Sequence, residues 1–189
     1  NGFNQFVGLS YSMGSRFNLV LAECIPESIS KLILIAPDGI RIRFWNRLST
    51  QTSIGNYLFK LLANHPKAYE KISDFIYKIK LITKSMYAFS KWHMRDQQNR
   101  LRVYNAWMNM KKMIPDLDQI NSNTKRHQFQ IIAYFGKYDE VINSGCMKKL
   151  AMKIPSAQIT VLDKGHNLLD EEMFEEVRKL LRLDQAESH

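Results

Sequence analysis

Cysteine is scarce in this chain of 189 residues, and so are the features that mark fibrous, repeat or membrane-spanning proteins. The two cysteines, Cys24 and Cys146, are too few for a disulfide framework and lack metal-binding spacing, so we expect two buried thiols. No apolar run approaches the length that crosses a bilayer, and the sequence has no internal repeat or low-complexity tract. These absences leave a globular protein that is long enough to bury one sizeable core.

Negative charge is the second scarcity, because 27 lysines and arginines outnumber 18 aspartates and glutamates and give a formal charge of +9. Much of the positive charge lies between Lys60 and Arg102. Such a surface attracts anionic substrates, membranes or nucleic acid, but lysines spaced in this way on helices are more often a solvated face, which we favour. The sequence carries no zinc-finger, RRM or similar motif, so we expect no nucleic-acid partner and no stable membrane insertion.

Short apolar or β-branched segments predict four buried strands, at 5–9, 31–36, 130–135 and 158–162. Their near-continuous apolar character is typical of strands that are covered on both faces, as in parallel sheets. Helical spacing between and after these segments predicts helices at 13–24, 140–154 and 173–183. This order of elements indicates βαβ units, and therefore an α/β fold with a mostly parallel sheet.

The middle of the chain has a different character, because residues 40–127 contain no convincing strand. Aromatic side chains are frequent there, and helical spacing recurs over 53–63, 67–94 and 98–113. A helical insertion between two strands of a parallel sheet is typical of a cap over an active site. We expect most of the aromatics to form the core of the insertion, with a few lining a pocket. The predicted division is a core segment 1–39, a helical cap or lid 40–127 and a second core segment 128–189.

A serine stands at a predicted strand-to-helix turn, in the sequence Ser10-Tyr11-Ser12-Met13-Gly14. Such a turn points the hydroxyl group of Ser12 out of the carboxyl edge of the sheet. The helix that follows presents free backbone N–H groups, and the N–H of Met13 is placed to face an oxyanion. The turn is strained, so it requires small residues two positions before and two positions after the serine. Gly14 meets that requirement, whereas Ser10 departs from the common G-x-S-x-G pattern.

A serine nucleophile needs a base, and a histidine base needs a carboxylate that fixes its tautomer. His166 follows the last predicted strand and Asp139 follows the strand before it, so both fall at the edge of the sheet where Ser12 lies. Asp38, after the second strand, is an alternative acid at the same edge. We favour Asp139 because its loop faces the loop of the histidine, and Asp38 has the simpler interpretation of a turn residue before Gly39.

With these residues, the chain resembles the α/β-hydrolase superfamily, whose members carry serine, acid and histidine in that order, after strands five, seven and eight. Here the order is Ser12, Asp139 and His166, and the acid precedes the histidine by 166 − 139 = 27 residues. The segment 34–40, followed by an aromatic helical cap, is similar to uncharacterised bacterial members of Bacteroidetes type.

The resemblance extends over the whole chain but only over the second half of that fold, strands five to eight with a cap inserted after strand six. It implies Ser12 as nucleophile, Asp139 as acid, His166 as base and the backbone N–H of Met13 as one oxyanion donor. The family's second oxyanion donor comes from the loop after strand three, which usually carries a His-Gly motif and has no counterpart here. We therefore expect an N-terminally incomplete chain.

The resemblance implies a serine hydrolase that cleaves an ester or related acyl bond of a small molecule through an acyl-enzyme intermediate, without a metal or organic cofactor. Thioesterase, lipase, C–C bond hydrolase and perhydrolase chemistry use the same constellation and stay open. The alternative is a non-catalytic hydrolase-fold binding protein or an inactive fragment. We expect a cytoplasmic protein, with a signal peptide before Asn1 as the alternative, and the sequence indicates no oligomeric state.

Overall fold

The computed structural model describes residues 5–41 and 44–186, and it contains one parallel sheet. Four strands in this part of the chain lie side by side in sequence order: β1 (Phe6–Tyr11), β2 (Ile29–Ile35), β3 (Gln130–Gly136) and β4 (Gln158–Leu162). Every neighbouring pair is parallel; Ala133, for example, lies opposite Leu34 on one side and Ile159 on the other. The predicted α/β fold class is confirmed, and each predicted strand is present with its ends shifted slightly at most.

Helices occupy the connections between the strands and the long middle segment. In chain order they are α1 (Ser15–Cys24), α2 (Phe44–Gln51), α3 (Ser53–Asn64), α4 (Pro66–Lys78), α5 (Lys84–His93), α6 (Gln97–Met110), α7 (Leu117–His127), α8 (Ser144–Lys153) and α9 (Glu171–Ala186). A turn of 3₁₀ helix, Ser12–Gly14, precedes α1. Within the described ranges, no helix combines the length and the apolar character that spanning a membrane requires.

The hydrophobic core is built on the two central strands. Leu32, Ile33 and Leu34 of β2 are fully buried, and the side chains of β3 from Ile131 onward are buried as well. The outer strands differ, because Leu9 of β1 and Val161 of β4 are about half exposed. The expectation that strands are covered on both faces is therefore right for β2 and β3 and wrong for β1 and β4. An outer strand in the described sheet has a neighbour on one side only, so fewer side chains screen it from solvent.

Helix α1 packs one face on the core through Leu19 and Ala22, which are fully buried. It ends at Cys24, and Pro26 follows, a residue that cannot continue a helix because it lacks an N–H. Cys24 is exposed, so the expectation of two buried thiols is wrong for this one, whereas Cys146 in α8 is buried. Two residues along a helix turn the chain by more than half a revolution, so Cys24 faces away from the side that Ala22 buries.

Contacts between residues divide the chain into two compact units. One contains the sheet and comprises Asn1–Arg41 and Met113–His189, and the other, which we call the helical unit, comprises Ile42–Lys112. The insertion predicted at 40–127 therefore begins close to the boundary found here but ends later than it. The outer limits of the predicted core segments, 1 and 189, lie outside the described residues.

Helix α7 belongs to the unit of the sheet, although the sequence placed it in the insertion. The side-chain amide of Asn123 donates hydrogen bonds to the carbonyl oxygens of Ala22 (2.9 Å) and Glu23 (3.2 Å), at the end of α1. Helix α7 also contacts α8, where Nζ of Lys153 donates to Oδ2 of Asp118 at 2.7 Å. These contacts join segments that are far apart in the sequence, so local spacing gave no indication of them.

The sequence predicted one helix over 67–94, and the structure has two, α4 and α5, with a turn between them. Lys80 adopts a left-handed backbone with a φ of 57°. Its N–H donates to the carbonyl of Tyr77 (2.9 Å), and the N–H of Leu81 donates to the carbonyl of Ile76 (3.1 Å). This pair of bonds is the Schellman arrangement that ends helices, usually at a glycine. A lysine in that place gave the sequence no signal of the break.

Of the aromatic side chains that the structure describes in the helical unit, only Tyr69 is buried, so the expectation that most of them form its core is wrong. Phe59 of α3 packs edge-on against Tyr104 and Trp107 of α6, with both pairs of ring centroids 5.3 Å apart. Four others are exposed, by 68%, 61%, 37% and 62%: Tyr57, Phe75, Tyr77 and Trp92.

Candidate active site

Ser12 stands where β1 passes into a helix. The strand ends at Tyr11, and Ser12 opens the 3₁₀ turn that leads into α1. Its φ of 50° lies in the left-handed region, which residues other than glycine rarely adopt. The backbone N–H of Asp38 donates to the carbonyl of Ser12 at 3.1 Å and helps to hold this conformation. A strained serine between a strand and a helix is the geometry that presents the hydroxyl group at the edge of a sheet.

The residues two positions before and two positions after Ser12 are small, as the sequence pattern predicts. Gly14 has a helical φ of −60°, so its backbone does not require glycine. A Cβ atom at Gly14 would have the Cβ of Ser10 as its nearest neighbour, at 3.9 Å, which is an ordinary contact. Ser10 fits in place of the usual glycine, and its hydroxyl group donates to the hydroxyl of Ser15 at 3.2 Å. Neither position therefore requires glycine itself.

The structure brings together the serine, histidine and aspartate that the sequence singled out. The Oγ atom of Ser12 lies 3.1 Å from Nε2 of His166, and Nδ1 of His166 lies 2.8 Å from Oδ2 of Asp139. Because a carboxylate accepts hydrogen bonds and cannot donate them, Nδ1 carries the hydrogen atom, and in the neutral imidazole Nε2 then presents its lone pair to Ser12. Ser12 and His166 are 154 positions apart, so it is the parallel sheet that places them in contact.

The backbone holds the carboxylate of Asp139 in position. Its Oδ1 atom accepts hydrogen bonds from the N–H groups of Val141 (2.8 Å) and Ile142 (2.7 Å), while Oδ2 faces His166. The side chain of Asp139 has no solvent exposure, and that of His166 is 13% exposed. Fixed donors on one carboxylate oxygen leave the other aimed at the imidazole, which fixes the orientation of the ring.

The loops that carry Asp139 and His166 are in direct contact. A Cβ atom on Gly136 would lie 2.7 Å from the carbonyl oxygen of Lys164 and closer still to that of Gly165, so only glycine fits there. Two backbone hydrogen bonds join the same segments, from Lys137 to Leu162 (2.8 Å) and from Tyr138 to Lys164 (3.0 Å). Direct pairing of these loops explains why the carboxylate after β3 reaches the histidine after β4.

Asp38, the alternative acid, has a different partner. Its Oδ2 atom accepts from Nε of Arg16 at 2.8 Å and lies 2.8 Å from Nη2 of the same residue. The side chain of Arg16 is almost fully buried, so Asp38 compensates a guanidinium charge that would otherwise be costly to bury. The ion pair fastens the loop after β2 to α1. Asp38 therefore pairs with Arg16, whereas Asp139 contacts His166.

Tyr11 is a neighbour of the site that the sequence did not indicate. Its hydroxyl group donates to the backbone carbonyl of His166 at 3.1 Å, and its ring centroid lies 5.5 Å from that of the imidazole. Burial, followed by the negative charge of Asp139, raises the pKa of Tyr11, so the phenol stays protonated and acts as a donor. The bond ties the end of β1, next to Ser12, to the loop that carries His166. The position of Tyr11 beside Ser12 was the only signal in the sequence.

Met13 follows Ser12 within the 3₁₀ turn, where the sequence placed an oxyanion donor. Its N–H belongs to the first turn of a helical segment, in which backbone donors have no acceptor within the helix. Among residues 5–41 and 44–186, no group of three histidine, cysteine, aspartate or glutamate side chains is arranged to hold a metal ion.

Solved structures share this arrangement of strands and helices. A thermophilic esterase from Thermogutta terrifontis matches with a TM-score of 0.59 and 17% identity, over 98% of this chain and 66% of the esterase. A carboxylesterase structure from the ammonia-oxidizing thaumarchaeon Nitrososphaera gargenis matches with a TM-score of 0.56 and 16% identity, over 98% and 67%. MGS-MChE2, an α/β-hydrolase enzyme from the metagenome of Mar Chica lagoon sediments, matches with a TM-score of 0.52 and 14% identity, over 97% and 64%. This chain has the α/β-hydrolase fold.

This chain spans about two thirds of the length of the solved structures it matches. No family model matches its sequence, and no curated protein does. At this level of identity, structural likeness shows the fold but does not show which reaction the site performs. The bacterial, Bacteroidetes-like origin stays a prediction.

Proposed function

We propose that this α/β-hydrolase chain carries the nucleophile, base and acid of a serine hydrolase that cleaves an ester or related acyl bond. The observation that carries the proposal is the continuous row of contacts from Ser12 to His166 (3.1 Å) and from His166 to Asp139 (2.8 Å). The left-handed backbone of Ser12 supports it, because that strain presents the hydroxyl group to a substrate. The fold supports it as well, since the solved structures of similar fold include esterases.

In the proposed reaction, Nε2 of His166 removes the proton of Ser12 as Oγ attacks the carbonyl carbon. The tetrahedral intermediate collapses when the imidazolium protonates the leaving alcohol, and the acyl group stays on Ser12. Water then attacks the acyl carbon, loses its proton to His166 and releases the carboxylic acid, while Ser12 recovers its proton. Asp139 accepts the hydrogen bond from Nδ1 throughout and stabilises the imidazolium that forms twice in each cycle.

The tetrahedral intermediate carries a negative oxygen, which needs hydrogen-bond donors in fixed positions. In the proposed mechanism, the backbone N–H of Met13 supplies one of them, because it directly follows the nucleophile. A second donor comes from the part of the fold that this chain does not span.

Labelling with a fluorophosphonate probe tests the nucleophile, because the probe reacts with a serine that a nearby base activates. We expect the wild-type chain to be labelled and Ser12→Ala to be unlabelled. Ser10→Ala is the matched control, since it removes a hydroxyl two positions earlier that lies 3.2 Å from Ser15. Ser10→Ala is expected to label like the wild type. An unlabelled wild-type chain would overturn the proposal and favour the alternative, a non-catalytic binding protein or an inactive fragment.

The choice of acid is tested by the same chemical change at two aspartates. Asp139→Asn removes the acceptor of the His166 Nδ1 hydrogen, so we expect the labelling rate to fall on the order of 10³- to 10⁴-fold. Asp38→Asn weakens the ion pair with Arg16, so it lowers stability but leaves the labelling rate of the folded protein close to that of the wild type. Equal losses of rate in the two variants would contradict the assignment of Asp139.

A further inference from the structure

The positive charge of this protein is concentrated in the helical unit. Residues 42–112 contain 14 lysines and arginines against three acidic residues, a formal charge of +11, whereas the whole chain carries +9. From Phe75 to Arg95 the sequence has no aspartate or glutamate. The acidic residue just before this stretch, Asp74, is already bound to Lys91 at 2.9 Å and to the hydroxyl group of Tyr87. A region with so little compensating charge attracts anionic surfaces.

The turn between α4 and α5, residues 77–84, also exposes large apolar side chains; we call it the basic turn. Leu81 is 60% exposed and Ile79 is 47% exposed. Phe75, which lies in α4 one helical turn before Ile79, is 61% exposed. Three exposed lysines lie among them: Lys78, Lys80 and Lys84. A solvated face accounts for the lysines but not for aliphatic and aromatic side chains standing beside them in water.

A surface cavity of about 510 Å³ opens at the basic turn. It is lined by all three of these lysines, by Thr83 and by apolar side chains that include Leu81. Its size lies within the range of ligand pockets in proteins, and a phosphate group entering it would meet several cations at once. Lys80 adopts the left-handed backbone conformation that glycine usually adopts at the end of a helix. The turn therefore places a positively charged side chain at the cavity, in a position where glycine is the common residue.

We propose that the basic turn docks on a membrane surface that contains anionic phospholipids. The lysines bind lipid phosphates at the cavity, and Phe75, Ile79 and Leu81 enter the boundary between headgroups and acyl chains. A membrane surface matches both halves of the patch, because it offers negative charge and an apolar layer a few ångströms below. Nucleic acid would match the lysines and leave the aliphatic side chains without a partner.

Flotation of the 189-residue chain with vesicles tests the proposal, because aggregates sink in a density gradient and vesicle-bound protein rises. We expect the chain to float with phosphatidylcholine vesicles that contain phosphatidylserine, and not with pure phosphatidylcholine. We also expect added salt to weaken binding, since salt screens surface charge. Equal flotation with both kinds of vesicle, or with neither, would overturn the proposal.

Charge reversal at the turn is compared with a matched reversal elsewhere. Each lysine near an anionic bilayer contributes roughly fivefold to affinity, so Lys78→Glu with Lys80→Glu is expected to lower the affinity at least about 25-fold. Lys125→Glu with Arg126→Glu is the control, because it changes the net charge equally at two exposed positions of α7. Equal losses in the two double variants would show that only net charge matters and would overturn the proposal.

The apolar part is tested by Leu81→Ser, with Ile54→Ser as its control on α3, where Ile54 is 76% exposed. We expect Leu81→Ser to lower affinity for anionic vesicles roughly fivefold or more, because it removes an inserted side chain, and Ile54→Ser to have little effect. If Leu81→Ser binds anionic vesicles as tightly as the wild type does, and binds soluble heparin equally tightly, the turn recognises anions and not a membrane surface. That result would overturn the proposal. Ser12→Ala should float like the wild type, which separates this outcome from that of the proposed hydrolase chemistry.

Discussion

Gly136 ends β3 where the loop that carries His166 passes closest to it. A Cβ atom there would meet the carbonyl oxygens of Lys164 and Gly165, which are backbone atoms and cannot swing away. Gly14, two residues after Ser12, shows the opposite situation, because a Cβ atom would have ordinary contact with Ser10 alone. The neighbouring backbone thus leaves no room for a side chain at Gly136, whereas the space around Gly14 accepts a Cβ atom.

Gly136→Ala and Gly14→Ala are therefore expected to change stability in opposite directions. Gly136→Ala forces two loops apart and should lower the free energy of unfolding by about 1–3 kcal/mol or more. Gly14→Ala keeps a helical backbone and should raise it by about 0.4–1 kcal/mol, because alanine restricts the unfolded chain. Urea unfolding followed by circular dichroism measures both. A destabilised Gly14→Ala variant would contradict the contact described here.

Arg100 connects three elements within the helical unit. It lies on α6, is 3% exposed, and its Nε donates to the carbonyl oxygen of Ala63 in the last turn of α3 at 3.1 Å. Its Nη1 donates to the carbonyl oxygen of Met94, just after α5, at 3.0 Å. The last carbonyl groups of a helix have no donor within the helix and form its negative end, so one guanidinium satisfies both helix ends.

Arg100→Met is expected to destabilise the protein by about 2–4 kcal/mol, because it leaves two buried carbonyl groups without their charged donor. Arg100→Lys should recover only part of the loss, since one ammonium lacks the fork that spans both acceptors. Arg102→Met is the control at an exposed position of the same helix and should stay within about 0.5 kcal/mol of the wild type. Thermal and urea unfolding measure the differences, and equal effects at 100 and 102 would refute the bridging role.

For the molecule as a whole, stability at high pH depends on a contact between the sheet and the last helix. The hydroxyl group of Tyr134 on β3 donates to Oε1 of Glu176 on α9 at 3.2 Å. Burial, with a further contribution from the charge of Glu176, raises the pKa of Tyr134 to about 12 from its ordinary value of 10.0. The folded state therefore favours the neutral phenol more strongly than the unfolded state does.

The sign follows from linkage: a pKa raised on folding gives stability that is complete below the unfolded pKa and is lost as pH rises through the folded pKa. We expect the free energy of unfolding to fall between about pH 10 and about pH 12, and Tyr134→Phe to flatten that fall. Urea unfolding at stepped pH values measures the slope. Tyr57→Phe, at a largely exposed position, is the control, and an unchanged slope in Tyr134→Phe would contradict the prediction.

Much of the fold could be predicted because its signals are local. The four strands are short apolar runs, the last three of which end in turn residues, and the strand-to-helix turn at Ser12 lies within a few neighbouring residues. His166 and Asp139 could be placed near Ser12 because parallel strands bring their carboxyl ends to one edge. The break between α4 and α5 could not be predicted, since Lys80 takes a conformation for which glycine is the usual signal.

The sequence by itself determined the class of the sheet, Ser12 and His166 as candidate nucleophile and base, and Asp139 or Asp38 as the candidate acid, because spacing and residue type carry that information. Only the tertiary structure decided which carboxylate faces His166, that Asp38 forms an ion pair with Arg16, and that Tyr11 donates a hydrogen bond to the loop of His166. It also decided that α7 packs with the sheet. These outcomes depend on distances between segments that lie 22 to 155 residues apart in the sequence, and such distances are set by packing rather than by any local pattern.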